Sequence, residues 1–231
     1  MVRPGQRLAI VGKNGAGKTT LVKLLSGLYK PTSGKILLDG EDITSYGREA
    51  YFAAISAVFQ DIFLLPVSIR QNVSSRTDGE TDEGRVLQSL EKAGLHEKVL
   101  QLPQGADTPM QKQVRSDGID LSGGEQQKIM IAKAVYKEAN ILILDEPTAA
   151  LDPLSENDIY QKYNELSQGM TSFFISHRMA STMFCDHIIL LDGGRIMEQG
   201  SHQELMELRG EYWKMFTVQS RYYREEEPFD D

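Results

Sequence analysis

An α/β fold with a mostly parallel sheet and an inserted helical lobe is what these 231 residues predict. Three observations carry that expectation. Short apolar runs alternate with helical periodicities towards both ends of the chain, the pattern of a parallel sheet covered by helices. Residues 62–135 hold helical stripes and no confident strand. The length suits one large domain or two lobes, and a composition 40% hydrophobic and 25% charged is ordinarily globular.

RLAIV at 7–11 is a short apolar run that closes on Gly12, as a buried strand does. From Lys18 the text TTLVKLLSGL has helical spacing, with Leu21, Leu24, Leu25 and Leu28 on one face. GKILLDGEDI and ISAVFQ read as further strands, the first with an Asp39-Gly40 turn. After Asp61 the character changes. Val86, Leu87, Leu90 and Ala93 share a helical stripe that Gly94 is placed to end. A second helix starts at Ser122 and runs through KIMIAKAVYK. The expected division is therefore a core of residues 1–61 and 136–231 and a helical subdomain of residues 62–135. In the returning α/β part, ILIL at 141–144 is a fully buried strand. SENDIYQKYNEL has Ile159, Tyr160, Tyr163 and Leu166 on one face, with Ser155 and Asp158 as a capping signature. TSFFIS is a strand, and HIILLDGGRIMEQ a hairpin about Asp192, Gly193 and Gly194. Ser201 and Glu204 open one C-terminal amphipathic helix with Leu205, Leu208, Tyr212, Met215 and Phe216, and the acidic tail EEEPFDD frays.

The net charge of -8 and the lack of a basic stripe argue against nucleic acid or anionic lipid as a direct partner. Cys185 is the only cysteine, so no internal disulfide forms, and its apolar neighbours suit a small buried hydrophobe. The longest apolar runs are far too short to span a bilayer, and the first residues lack a secretion-signal pattern. Direct membrane insertion is not expected.

GKNGAGKTT at 12–20 fits the phosphate-loop pattern, with Gly12, Gly17, Lys18 and Thr19 in the diagnostic places. Its glycines let Asn14, Gly15, Ala16 and Gly17 turn backbone N–H groups towards an anion, ahead of a helix N-terminus at Thr19 and Thr20. Lys18 would neutralise the outer phosphates, and the Thr19 hydroxyl would ligate Mg²⁺. In ILILDEP, a buried strand delivers Asp145 and Glu146 to the carboxyl edge of the sheet, where such folds bind ligands. Adjacent strand residues point to opposite sides, so Asp145 can hold Mg²⁺ while Glu146 polarises an attacking water. In DLSGGEQQK, Ser122 and Glu125 form a capping box, yet Gly123 and Gly124 weaken a helix start unless backbone must approach an anion closely. The residues by themselves leave a cap and an anion site equally open.

The ordered set GKNGAGKTT, VFQD, LSGGEQQK, ILILDEP, ALD and ISHR closely resembles the nucleotide-binding domain of ATP-binding cassette (ABC) proteins, over nearly the whole chain. The resemblance implies a P-loop NTPase core of RecA-like type that binds and hydrolyses ATP with Mg²⁺. It implies a head-to-tail dimer, or a paired ATPase domain, in which Ser122, Gly123 and Gly124 close over the phosphate held by the partner's loop. On this resemblance Gln60 senses Mg²⁺ and the attacking water, and His177 contacts the γ-phosphate and orients Glu146. Asp152 belongs to the loop that communicates between the two sites. A transmembrane domain of a transporter is the implied further partner, at the cytoplasmic face of the cell membrane. Phe63, Leu64 and Leu65 are either its receiving surface or core packing.

This chain departs from the family's pattern in two places. Ala149 stands where serine is commoner. The family's first strands and the aromatic residue that stacks on adenine do not precede Gly12, which implies a truncated N-terminal β-subdomain. VFQDIFLLPVSIRQNV and EYWKMF resemble the exporter type, whose membrane helices precede this domain, although QVRSDGID departs from the commonest exporter lead-in. An import ATPase, a soluble ABC ATPase of DNA repair or translation, and a cassette that binds without hydrolysing are the alternatives.

Overall fold

The computed structural model describes residues 1–146 and 153–225. In chain order these form β1 (Arg7–Val11), α1 (Lys18–Leu25), β2 (Leu37–Leu38), β3 (Glu41–Asp42), α2 (Arg48–Ala54) and β4 (Ile55–Val58). There follow α3 (Ile69–Ser74), α4 (Glu83–Lys92), α5 (His96–Leu100), α6 (Gly123–Lys137), β5 (Ile141–Asp145) and α7 (Pro153–Leu166). The last described elements are β6 (Thr171–Ile175), β7 (His187–Asp192), β8 (Arg195–Gly200), α8 (His202–Leu208) and α9 (Glu211–Glu225). It divides into two compact units: Met1–Phe52 with Ile143–Glu146 and Gly169–Asp231, and Ala53–Leu142 with Pro147–Gln168.

The first unit is built on strands in the order β5-β6-β1-β7-β8. β1 runs parallel to β6, with Ala9 opposite Phe174, and parallel to β7, with Ala9 opposite Ile188. β8 runs antiparallel to β7 and is joined to it by a two-residue loop of Gly193 and Gly194, both at positive φ. Leu8, Ala9, Ile10, Val11, Phe174, Ile175 and Ile188 are all buried. Unbroken apolar runs of this kind, with no polar alternation, belong to parallel strands covered on both faces. Each buried Leu, Ile or Phe contributes about 1.5–3 kcal/mol relative to exposure. The entry to β1 is fastened by Arg7, whose backbone N–H and guanidinium both reach Asp186, at 2.8 and 2.9 Å.

The expected Asp39-Gly40 turn is present between the antiparallel β2 and β3, with φ of 52° and 87° as a tight primed turn requires. The apolar face of α1 differs from expectation. Val22 is its buried apolar residue, and Leu28 is exposed because the helix ends at Leu25, ahead of Gly27 at φ 70°.

The second unit contains α3 to α7, and within residues 62–135 the only extended pairings among the described residues are isolated bridges. In α4, Val86, Leu90 and the capping Ala93 are buried, whereas Leu87 lies off the stripe and is exposed. Gly94 follows at φ 70°, the left-handed stop expected. α7 starts at Pro153, so Ser155 and Asp158 lie inside it and not at its cap. Proline suits a first helical position, where its missing N–H would have had no partner. Gln127 of α6 is buried and donates a 2.7 Å bond to the Tyr163 hydroxyl of α7.

The single C-terminal helix expected from Ser201 onwards is two helices. The Ser201–Glu204 capping box opens α8, and Arg209 at φ 52° ends it. Glu198 of β8 then starts α9, accepting from the N–H groups of Glu211 and Tyr212 at 2.6 and 3.0 Å. A Cβ on Gly210 would lie 2.2 Å from that carboxylate, so a larger residue there would have to displace the Glu198 side chain that starts α9. Among the described residues no helix is long and apolar enough to cross a membrane. Cys185 is buried, and burial pushes its thiol up to about 12.

Candidate functional site

The loop after β1 is shaped by backbone that side chains would obstruct. A Cβ at Gly12 would stand 2.3 Å from the Leu191 carbonyl oxygen. Gly15 and Gly17 hold φ of 79° and 100°, left-handed values that glycine adopts freely. Gly17 caps α1 without any side-chain bond, and no acidic residue lies in its first turn. The first-turn N–H groups therefore face outward without intrahelical acceptors, beside exposed Thr19 and Thr20. The β7–β8 hairpin supports the loop from behind, since the Gly194 N–H donates to the Ala16 carbonyl at 3.0 Å.

Lys18 opens α1 and is only 5% exposed. Its ammonium donates to the carbonyls of Gly12 at 3.0 Å and Lys13 at 3.3 Å, and lies 3.6 Å from Glu146 Oε1. The loop thus wraps its own cation, holding a positive charge against its own backbone carbonyls.

β5 brings two carboxylates to this place. Asp145, at its last position, is buried. Burial first, and then the neighbouring Glu146 charge, raise its carboxyl above the ordinary range, against the opposing pull of Lys18 and Lys23. At Glu146 the chain turns, with φ 45° and an N–H bonded to the Ile175 carbonyl at 3.0 Å. A left-handed glutamate stores about 1–3 kcal/mol of strain, and such strain persists where the surroundings hold it and tends to cluster at functional sites. Its Oε2 lies 3.2 Å from His177 Nδ1, two residues past the end of β6. One carboxylate thus spans the loop lysine and the histidine.

These residues fit a nucleotide with a divalent cation. Among the described residues no cluster of three or more His, Cys, Asp or Glu side chains could hold a metal. A hard cation beside Asp145 and Thr19 would therefore complete its oxygen shell from phosphate and water, as Mg²⁺ commonly does. The buried Asp145 carboxylate, which its surroundings disfavour, is the group such a cation would neutralise.

The second unit carries the other expected residues. Ser122 caps α6 in a full capping box with Glu125, and Ser122 and Gly123 are exposed at the helix start. The cap and the free backbone coexist, so neither excludes the other. Gln60 is exposed, two residues past the end of β4. Phe63 and Leu65 are 76% and 49% exposed while Leu64 is buried. Asn72 pins this stretch, accepting from the Leu65 N–H at 2.8 Å and donating to its carbonyl at 3.0 Å. Asp152 and Ala149 lie outside the described residues.

Lys18, Asp145, Glu146 and His177 are thus gathered in the first unit, with Gln60 and residues 122–124 in the second. Two participants went unmarked in the sequence. Gly194 was legible only as a turn residue, although a glycine doublet in a two-residue loop also permits close backbone approach. Gln219 of α9, which hydrogen-bonds the backbone at His177, has no sequence signal at all.

A strand, a glycine loop and a helix that bury a lysine, with a carboxylate pair at the end of β5, define a P-loop nucleotide-binding protein. Comparison with known proteins gives the family. The model of the ABC transporter family matches residues 1–149. The chain is 41% identical over 219 residues to an ATP-dependent lipid A-core flippase of Burkholderia orbicola, covering 94% of this chain and 36% of the flippase. It is 42% identical over 217 residues to a β-(1→2)glucan export ATP-binding/permease protein of Bartonella bacilliformis, again 94% of this chain and 36% of the relative. Among solved structures it is similar to a bacterial Atm1-family ABC exporter with ATP bound, with TM-score 0.82, 35% identity, and coverage of 100% of this chain and 38% of the exporter chain. The chain belongs to the ABC transporter family. It spans about a third of the length of these relatives, and it is their ATP-binding part that it resembles.

Proposed function

We propose that this chain binds Mg-ATP and hydrolyses it with water, as the ATPase domain of an exporter at the cytoplasmic face of the cell membrane. The observation that carries the reading is the Glu146 carboxylate, set between Lys18 at 3.6 Å and His177 at 3.2 Å beside an open phosphate loop. Asn14, Gly15, Ala16, Gly17, Lys18, Thr19 and Thr20 bind the phosphates through backbone N–H groups, hydroxyls and the ammonium. Bound Mg²⁺, held by Thr19 and Asp145 with Gln60 near its water shell, would neutralise phosphate charge. Glu146 accepts the proton of the attacking water, and His177 orients that carboxylate and donates to the γ-phosphate. Lys18 stabilises charge on the transferred group, so positioning and electrostatics supply most of the acceleration.

Residues 62–135 act as the helical signature subdomain. Ser122, Gly123 and Gly124, at a helix start free of bulk, close over the phosphates on a second copy or a paired domain, and Asp152 links the two sites. ATP-driven closure shifts a population between open and closed dimers. Exposed Phe63 and Leu65 on a pinned loop suit docking by a transmembrane domain, because apolar side chains held in water favour burial. The export-type names of the relatives favour export over import and over a soluble ATPase of DNA repair or translation.

The test is ATP turnover and nucleotide binding by the purified protein with and without Lys18→Ala. We expect the variant to lose nucleotide binding, because the loop's central cation is gone. Unchanged ATP affinity in Lys18→Ala would overturn the site.

A further inference from the structure

The backbone at His177 is held from two sides, and one of them comes from the far C-terminal helix. On the inner side, the Ser176 hydroxyl accepts from the Arg178 N–H at 2.9 Å and donates to the Arg178 carbonyl at 3.2 Å. The Ser176 N–H itself reaches the Ile10 carbonyl of β1 at 3.3 Å. On the outer side stands Gln219 of α9, a half-buried residue. Its amide nitrogen donates to the His177 carbonyl at 2.7 Å, and its amide oxygen accepts from the Met179 N–H at 2.8 Å. A primary amide presents a donor and an acceptor side by side, the pairing a neighbouring strand would offer. Gln219 therefore closes the bend as a strand would, at a place where the chain has left β6 and no strand is present.

We propose that Gln219 is a positioning residue for hydrolysis, locking the His177 backbone so that its ring stays on Glu146. This rests on the catalytic reading of His177 and Glu146 given above. The geometry explains why such a lock is needed. The His177 side chain is 44% exposed, so packing restrains its ring little, and the 3.2 Å contact with Glu146 depends on where the backbone starts. α9 begins on the Glu198 carboxylate of β8, which sets the helix where Gln219 reaches the bend. The same clamp makes the γ-phosphate side of the site sensitive to any displacement of the C-terminal helix.

The experiment is steady-state ATP hydrolysis and ATP binding by the protein carrying Gln219→Leu, Gln219→Glu, His177→Ala, and the double variant Gln219→Leu/His177→Ala. Misplacing a catalytic group by about 1 Å can lower turnover about a hundredfold. We expect Gln219→Leu to lower kcat about tenfold or more, with KM and ATP affinity within about twofold of wild type. Gln219→Glu keeps the acceptor for Met179 and loses the donor to His177, so it also lowers kcat. It serves where the leucine variant does not fold. In the His177→Ala background, Gln219→Leu should lower residual turnover no further, because the residue it positions is absent. Wild-type kcat in Gln219→Glu, or an equal loss in both backgrounds, overturns the clamp. Wild-type kcat in His177→Ala overturns the catalytic reading instead, and the clamp with it.

Discussion

Replacing Glu146 by glutamine separates catalysis from binding, because the amide keeps the volume of the side chain while removing its charge and its ability to take a proton. A positioned general base contributes about 10²–10⁴-fold. Turnover in Glu146→Gln should fall by that factor, about 3–5 kcal/mol in the barrier. Binding should respond in the opposite sense. Glu146 lies 3.6 Å from the Lys18 ammonium. Two unit charges at about 4 Å interact by about 4 kcal/mol at an effective dielectric of 20, before desolvation is subtracted. That attraction competes with phosphate for the same ammonium, and a carboxylate also repels phosphate. ATP affinity should therefore be unchanged or tighter, and the ATP-bound dimer should accumulate. If the carboxylate served only as the structural partner of a buried lysine, its loss would destabilise the fold by about 3–5 kcal/mol and weaken binding. The retained bonds from Lys18 to the Gly12 and Lys13 carbonyls argue against that outcome. The assay is phosphate release alongside fluorescent-nucleotide titration and thermal denaturation of the same preparations. Turnover within about threefold of wild type, or a loss of ATP binding together with stability, would refute the role of Glu146.

Two further predictions concern the other elements of the site. Ser122→Arg should bind ATP as a monomer and fail to form the closed dimer in sedimentation with ATP. Ser122→Ala shares the lost cap, worth about 1 kcal/mol, and should still dimerise, so equal behaviour of the two variants would show a stability effect only. Asp145 has a carboxyl raised by burial and by Glu146. A raised folded-state value means that its contribution to stability is present below the ordinary carboxylate range and is lost as pH rises through the raised value. Nucleotide-free Asp145→Asn should therefore melt higher than wild type at neutral pH, and the difference should vanish in acid. The same variant should bind ATP with less dependence on Mg²⁺. A lower melting temperature at neutral pH would contradict this account.

Much of the first unit was legible because its strands are unbroken apolar runs and its turns carry their own chemistry. RLAIV, TSFFI and the hairpin at Gly193 and Gly194 lie where the residues place them, and the Asp39-Gly40 turn has the φ values its residues favour. The capping boxes at Ser122 and Ser201 are present as well, since each needs only two side chains one helical turn apart. Failures arose where a helix ended earlier than its apolar spacing suggested. Leu208 and Tyr212 read as one helical face, yet Glu198 of β8 starts a second helix between them, and Leu208 is exposed while Tyr212 is buried. Leu28 read as core but falls beyond the end of α1.

By itself the sequence determined the chemistry available to this protein: a phosphate loop with its lysine, a carboxylate pair closing a buried strand, and a capped helix start left bare by two glycines. Those depend on residue type and local spacing, which are short-range properties of the chain. Only the tertiary structure decided that one carboxylate oxygen of Glu146 faces Lys18 and the other faces His177. It alone decided that the Gly193–Gly194 hairpin props the phosphate loop and that a glutamine forty-two residues downstream holds the histidine's backbone. These contacts join segments far apart in the chain, and strand pairing and helix docking, which no local periodicity encodes, bring them within hydrogen-bond reach.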